Sequence, residues 1–68
     1  MINTELIIKF MKDNKLNKTQ FCKILKMDIR MLNRILNNDL SVNLKYFEKI
    51  VVYMKVKFSD LLIIKNNG

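Results

Sequence analysis

The sequence predicts an all-α domain of five short helices. It contains no proline and a single glycine, which is the last residue, Gly68, so nothing breaks a helix from within. Apolar residues recur at helical spacing rather than in the alternation of strands. Asn, Asp and Ser stand just ahead of the apolar runs, where a side-chain oxygen can accept from the free N–H groups of a first turn. At 68 residues the chain holds one core, so residues 1–68 are read as a single domain.

Leu6, Ile7, Phe10 and Met11 define the first helix, with Asn3 or Thr4 as its cap and Asn14-Lys15 as a left-handed stop. Asn17 opens the second. Its side chain can accept from the backbone of Gln20 while Gln20 reaches back, the reciprocal pair of a capping box. Phe21, Ile24 and Leu25 form the core side. Asp28 caps a third helix that carries Leu32, Ile35 and Leu36 inward, its negative charge suited to the positive helix end. Only Lys26 and Met27 lie between these two helices. So short a connection forces a steep crossing, the geometry of a helix-turn-helix, here running from Asn17 to Asn37. Beyond Asn37-Asn38-Asp39, the residues Leu44, Phe47, Ile50, Val51 and Met54 mark a fourth helix capped by Ser41 or Asn43. Ser59 is placed to cap a short fifth carrying Leu61, Leu62 and Ile64.

Thirteen Lys and Arg against six Asp and Glu give a net charge of +7, which concentrates polyanions around the protein. The absence of histidine and the single cysteine, Cys22, exclude an intrachain disulfide and argue against a metal site or a cofactor. They fit a reducing cytoplasm. The apolar runs Ile50 to Met54 and Leu61 to Ile64 fall far short of the roughly 20 residues that span a bilayer. The first residues also lack the basic stretch of a secretory signal. With no paired acids and no nucleophile beside a base, an enzyme is not expected, nor is a small-molecule ligand evident.

Leu16-Asn17-Lys18-Thr19-Gln20-Phe21-Cys22, then Leu25-Lys26-Met27-Asp28, then Leu32-Asn33-Arg34-Ile35 resembles the lambda-repressor-like, Cro or XRE-type DNA-binding domain. The likeness extends to Leu44-Lys45-Tyr46-Phe47-Glu48-Lys49-Ile50 and Met54-Lys55-Val56-Lys57-Phe58-Ser59-Asp60-Leu61-Leu62, nearly the whole chain. Phe21, Leu25, Met27, Leu32 and Ile35 stand where that family places core residues, and Cys22 where it places a small one. The chain departs from its pattern in the turn and at the end of the third helix. Lys26 replaces the usual turn glycine, Leu36 replaces a frequent Glu, and neither Asn37 nor Asn38 supplies the glycine that usually follows the third helix.

The resemblance implies a sequence-specific double-stranded-DNA-binding regulator of transcription. With Leu32, Ile35 and Leu36 inward, Ile29, Arg30, Asn33 and Arg34 face outward as candidate base readers, and both arginines of the chain lie on this one face. Arg suits guanine, Asn adenine, and Ile a thymine methyl. Lys18, Thr19, Gln20, Asn37, Asn38 and Lys45 are the candidate phosphate contacts. A homodimer is expected, acting as a repressor on two half-sites about 34 Å apart, with Phe58, Leu61, Leu62 and Ile64 at its interface. The alternative is a protein-binding regulator, antitoxin- or antirepressor-like, on the same scaffold.

Overall fold

A computed structural model describes residues 1–63. Among these residues five helices follow one another: α1 (Thr4–Asp13), α2 (Lys18–Leu25), α3 (Ile29–Leu36), α4 (Leu44–Met54) and α5 (Phe58–Leu61). Among the described residues the only β pairing is one antiparallel bridge between Ile2 and Leu62. The all-α prediction therefore holds.

The first four helices each start at a side-chain cap. Asn3, rather than Thr4, accepts from the Leu6 N–H at 3.3 Å, and Asn43, rather than Ser41, from the Lys45 N–H at 3.0 Å. Asn17 and Gln20 close the predicted capping box at 2.8 and 3.0 Å, and Asp28 accepts from the Arg30 N–H at 2.8 Å. The fifth helix starts two residues earlier than the sequence suggests, with Lys57 rather than Ser59 at the cap position. Ser59 lies inside it, because the Asp60 carboxylate, a stronger acceptor than a hydroxyl, takes the Lys57 N–H at 3.1 Å.

Helix ends share one device that the sequence disclosed only in part. Lys15, Lys26, Asn38 and Lys55 all have left-handed backbone, with φ between 54° and 62°. After each of them the next N–H reaches back to the last turn: Leu16 to the Met11 carbonyl, Met27 to Cys22, Asp39 to Arg34 and Val56 to Val51. These are Schellman motifs built without glycine. Apolar residues also stand directly before the caps. Ile2, Leu16, Met27 and Val42 precede Asn3, Asn17, Asp28 and Asn43, and Ile7, Phe21, Leu32 and Phe47 follow those caps four residues into the helix. All eight belong to or pack on one core, the arrangement of a hydrophobic staple.

Ile7, Phe21, Leu32, Ile35, Phe47, Ile50 and Leu61 are fully buried at the centre of that core. Phe10, Phe21 and Tyr53 join α1, α2 and α4 through three edge-to-face contacts, with centroids 5.5 to 6.3 Å apart. Two residues assigned inward lie outside it. Ile24 is 46% exposed, since Phe21, Cys22 and Leu25 set the inner face of α2 and the step of about 100° per residue swings Ile24 away. Leu44 is 59% exposed, and Val42, just before α4, is buried instead.

Residues 1–3 meet residues 61–63, the last that the structure describes. Asn3 N–H donates to the Leu61 carbonyl at 2.7 Å and Ile63 N–H to the Met1 carbonyl at 2.8 Å, while Ile2 N–H donates to the Asn38 side-chain oxygen at 2.7 Å. This clasp corrects the expected dimer surface. Leu61 is completely buried because it closes the monomer's own core, and Leu62 is half-buried with its backbone in the bridge. Phe58 remains exposed, and Ile64 lies outside the described residues.

A left-handed lysine costs about 1–2 kcal/mol of backbone strain that glycine avoids, against glycine's extra freedom in the unfolded chain of roughly 0.5–1 kcal/mol. Lys26→Gly is therefore expected to stabilise the fold by about 0.5–1 kcal/mol, read as a Tm rise of several degrees in thermal unfolding. A drop in Tm would show that Lys26 contributes more than its backbone shape.

Candidate nucleic-acid interface

The outer face of α3 carries the predicted residues together. Leu32 and Ile35 are buried, Met31 and Leu36 half-buried, and Ile29, Arg30, Asn33 and Arg34 exposed. Capping at Asp28 and the short connection from α2 fix which way this face turns. Lys18, the first residue of α2, donates from Nζ to Asn33 Oδ1 at 3.2 Å, so a predicted phosphate contact and a predicted base reader stand side by side. Thr19 and Gln20 are exposed next to them, although the Gln20 side-chain oxygen is committed to the cap.

The two arginines are held differently. The Arg30 side chain is 88% exposed, and its one polar contact among the described residues is with the Asp28 carboxylate, at 3.3 Å from Nη2. That carboxyl is held below its ordinary value, first by the Arg30 backbone N–H and then by its side chain. Arg34 instead donates from Nε to Asp39 Oδ2 at 2.9 Å and from Nη2 to Ser41 Oγ at 2.8 Å. Ser41 in turn donates to Asp39 Oδ1 through its hydroxyl at 2.6 Å and its N–H at 2.9 Å. The Ser41 hydroxyl, then its N–H, then Arg34 bring the Asp39 pKa down to about 2. The sequence reading placed Asp39 in a polar stretch and Ser41 as a candidate cap and gave neither a part in this site, yet Asp-x-Ser after a helix end is a turn signature whose acceptors fall within reach of the last helical turn.

The remaining phosphate candidates divide. Asn37 is exposed, and its N–H closes α3 on the Asn33 and Arg34 carbonyls. Asn38 takes the left-handed position where a glycine was looked for, a conformation asparagine tolerates well. Its side-chain oxygen is engaged by Ile2, so the residue assigned to phosphate serves as a tether between the loop and the chain's start, and only its NH2 end remains for a ligand. The Lys45 ammonium stands 5.2 Å from the Tyr46 ring centroid, and that of Lys49 stands 5.9 Å from it.

Cys22 is buried, and burial, with the nearby Asp28 charge as a lesser cause, pushes its thiol pKa up, so it stays protonated and inert. An open groove of about 600 Å³ runs between α2 and α4, floored by Ile24, Leu25, Val52 and Tyr53 and edged by Lys26, Lys45 and Lys49. Among the described residues no three His, Cys, Asp or Glu side chains converge on a metal position, and no helix is long and apolar enough to cross a membrane.

No protein-family model matches this chain, and neither a curated protein nor a solved structure aligns with it significantly.

The Asp39 contacts have a definite pH signature. Because its folded pKa is depressed from 3.8 to about 2, the contribution of the Arg34–Asp39–Ser41 cluster is complete above about pH 4 and fades as pH falls through 2. An NMR titration should place the Asp39 midpoint near 2, with the Arg34 Nε–H signal moving in step. In Arg34→Ala the midpoint should rise only part of the way toward 3.8, since Ser41 supplies the larger share. A midpoint near 3.8 in the unaltered protein would contradict the geometry.

Proposed function

We propose that this chain is a sequence-specific double-stranded-DNA-binding regulator of transcription, a lambda-repressor-like, XRE-type domain that inserts α3 into the major groove. One observation carries the reading: the chain's only two arginines and Asn33 share the exposed face of a capped helix, with Lys18 of the preceding helix bonded to that face. Such a face offers guanine-directed forks, an adenine-directed amide and, in Ile29, a thymine-methyl contact. Lys18, Thr19 and the unpaired N–H groups at the start of α2 would hold the sugar-phosphate edge and set register without reading sequence. The net charge of +7 supplies long-range attraction and a steep salt dependence.

A single module reads too few base pairs for a genome, so the reading includes a homodimer that represses by occluding polymerase. Support for a second copy comes from the exposed Met1, Phe58 and Ile63 with half-buried Leu62, which line a groove of about 640 Å³ beside the clasp. The second reading is a protein-binding regulator on the same scaffold. The α2–α4 groove favours it, because Ile24 and the 75%-exposed Val52 offer an apolar floor that duplex DNA does not use.

Selection from random duplexes tests the proposal. It should return one shared motif arranged as an inverted repeat with centres about 34 Å apart. Arg34→Ala should lose about 1–3 kcal/mol on that site and relax it at one base pair. Lys18→Ala should weaken all sequences alike and flatten the salt slope by about 1. Absence of a shared motif would refute the specific reader, and an unrepeated motif would refute the dimer.

A further inference from the structure

Arg34 is gripped along one edge of its guanidinium. Nε and Nη2, the two donors on the side of the fork, are the atoms bonded to Asp39 Oδ2 and Ser41 Oγ, at 2.9 and 2.8 Å. A planar guanidinium has five N–H groups, and with the side edge taken, the end edge formed by Nη1 and the outer N–H of Nη2 has no hydrogen-bond partner among the described residues, on a side chain that is 47% exposed. The grip is itself anchored. Asp39 N–H bonds to the Arg34 carbonyl at 3.0 Å, and Asn38 just before it is left-handed and tied to Ile2. Asp39 stays ionised at neutral pH, so the three hydrogen bonds its carboxylate accepts remain charge-assisted.

We propose that Asp39 and Ser41 are positioning residues that lock Arg34 by its side edge so that its end edge reads a single guanine, making Arg34 the principal specificity residue of α3. This rests on the reading of α3 as the DNA-recognition helix. The end edge spans guanine O6 and N7 bidentately, and an arginine already fixed in one rotamer loses little side-chain freedom on binding. Asp39 also brings a negative charge toward the phosphates. The clamp therefore lowers affinity for every duplex while sharpening the choice among them, a trade of attraction for discrimination. Arg30, 88% exposed with one polar contact at 3.3 Å, has no such clamp among the described residues and acts as an adaptable cation.

The test compares the unaltered protein with Asp39→Ala, Asp39→Asn, Ser41→Ala and Arg34→Lys, each checked for folding by circular dichroism. Competition binding would use the selected duplex, its single-base variants and a random duplex. The unaltered protein should prefer guanine at one position by roughly tenfold or more, and Arg34→Lys should abolish that preference. Asp39→Ala and Asp39→Asn should cut it to under about threefold while binding the random duplex as tightly as before or tighter, because a repulsive charge is gone. Ser41→Ala should fall between. A residue with a merely structural role would weaken specific and random binding together, which is the outcome that overturns the clamp. So does an unchanged guanine preference in the folded Asp39 variants. If the unaltered protein selects no motif at all, the recognition-helix reading falls, and the clamp with it. A motif indifferent to Asp39 overturns the clamp alone.

Discussion

The connection Lys26-Met27-Asp28 is the constraint on which the rest of this structure depends. Three residues must end α2, turn the chain and start α3, and each has its own task. Lys26 takes the left-handed backbone that stops the first helix, and Asp28 caps the second. Met27 serves both at once, bonding back to the Cys22 carbonyl while its side chain is buried in the core next to the turn. Because Met27 is anchored and Asp28 caps, α3 has little freedom to rotate about its axis, and Ile29, Arg30, Asn33 and Arg34 are turned outward as a set. The same three-part design, Lys15-Leu16-Asn17, joins α1 to α2. A chain without internal glycine has thus placed Lys or Asn at every left-handed helix end, and its stability carries the accumulated cost.

That rigidity has an electrostatic counterpart. Two of the six acidic residues flank α3, Asp28 at its start and Asp39 just past its end, and each neutralises one arginine. The attraction for a polyanion therefore comes mainly from the surrounding lysines, while the α3 face itself is close to balanced. Such a division suits a protein that meets DNA anywhere but holds on only where side-chain geometry agrees with the base edges. Exposed ion pairs of this kind add little to stability, so their effect is on the orientation of the arginines rather than on the fold.

Most of the fold was legible because it is written in local chemistry. The box at Asn17 and Gln20, the cap at Asp28 and the periodicity through Phe47, Ile50, Val51 and Met54 each depend on residues a few positions apart. What escaped was tertiary or shared between helices. Ile24 looked inward until Cys22 claimed the inner face of α2, and Val42 went unnoticed because the residue before a cap belongs to no helical period, although the staple pattern could have found it. Leu61 was assigned to a dimer interface because the sequence does not show that residues 61–63 return to the segment around Ile2 and close the core. At the candidate interface the spacing placed Arg30, Asn33 and Arg34 on one face. It could not foresee that Asn38 would spend its oxygen on Ile2, or that Asp39 and Ser41 would hold Arg34, since both depend on where the loop after α3 folds.

The central claim is that the outer face of α3 is the surface that enters DNA, and amide NMR of the labelled protein titrated with a duplex of about 20 base pairs, long enough for two half-sites, tests it most directly. The account predicts that the largest shifts fall on Lys18 to Gln20 and on Ile29 to Arg34, with the Arg34 Nε–H retained in the complex and Phe58 to Ile63 affected less. Largest shifts at Ile24, Lys49 and Val52 instead, with α3 undisturbed, would contradict it.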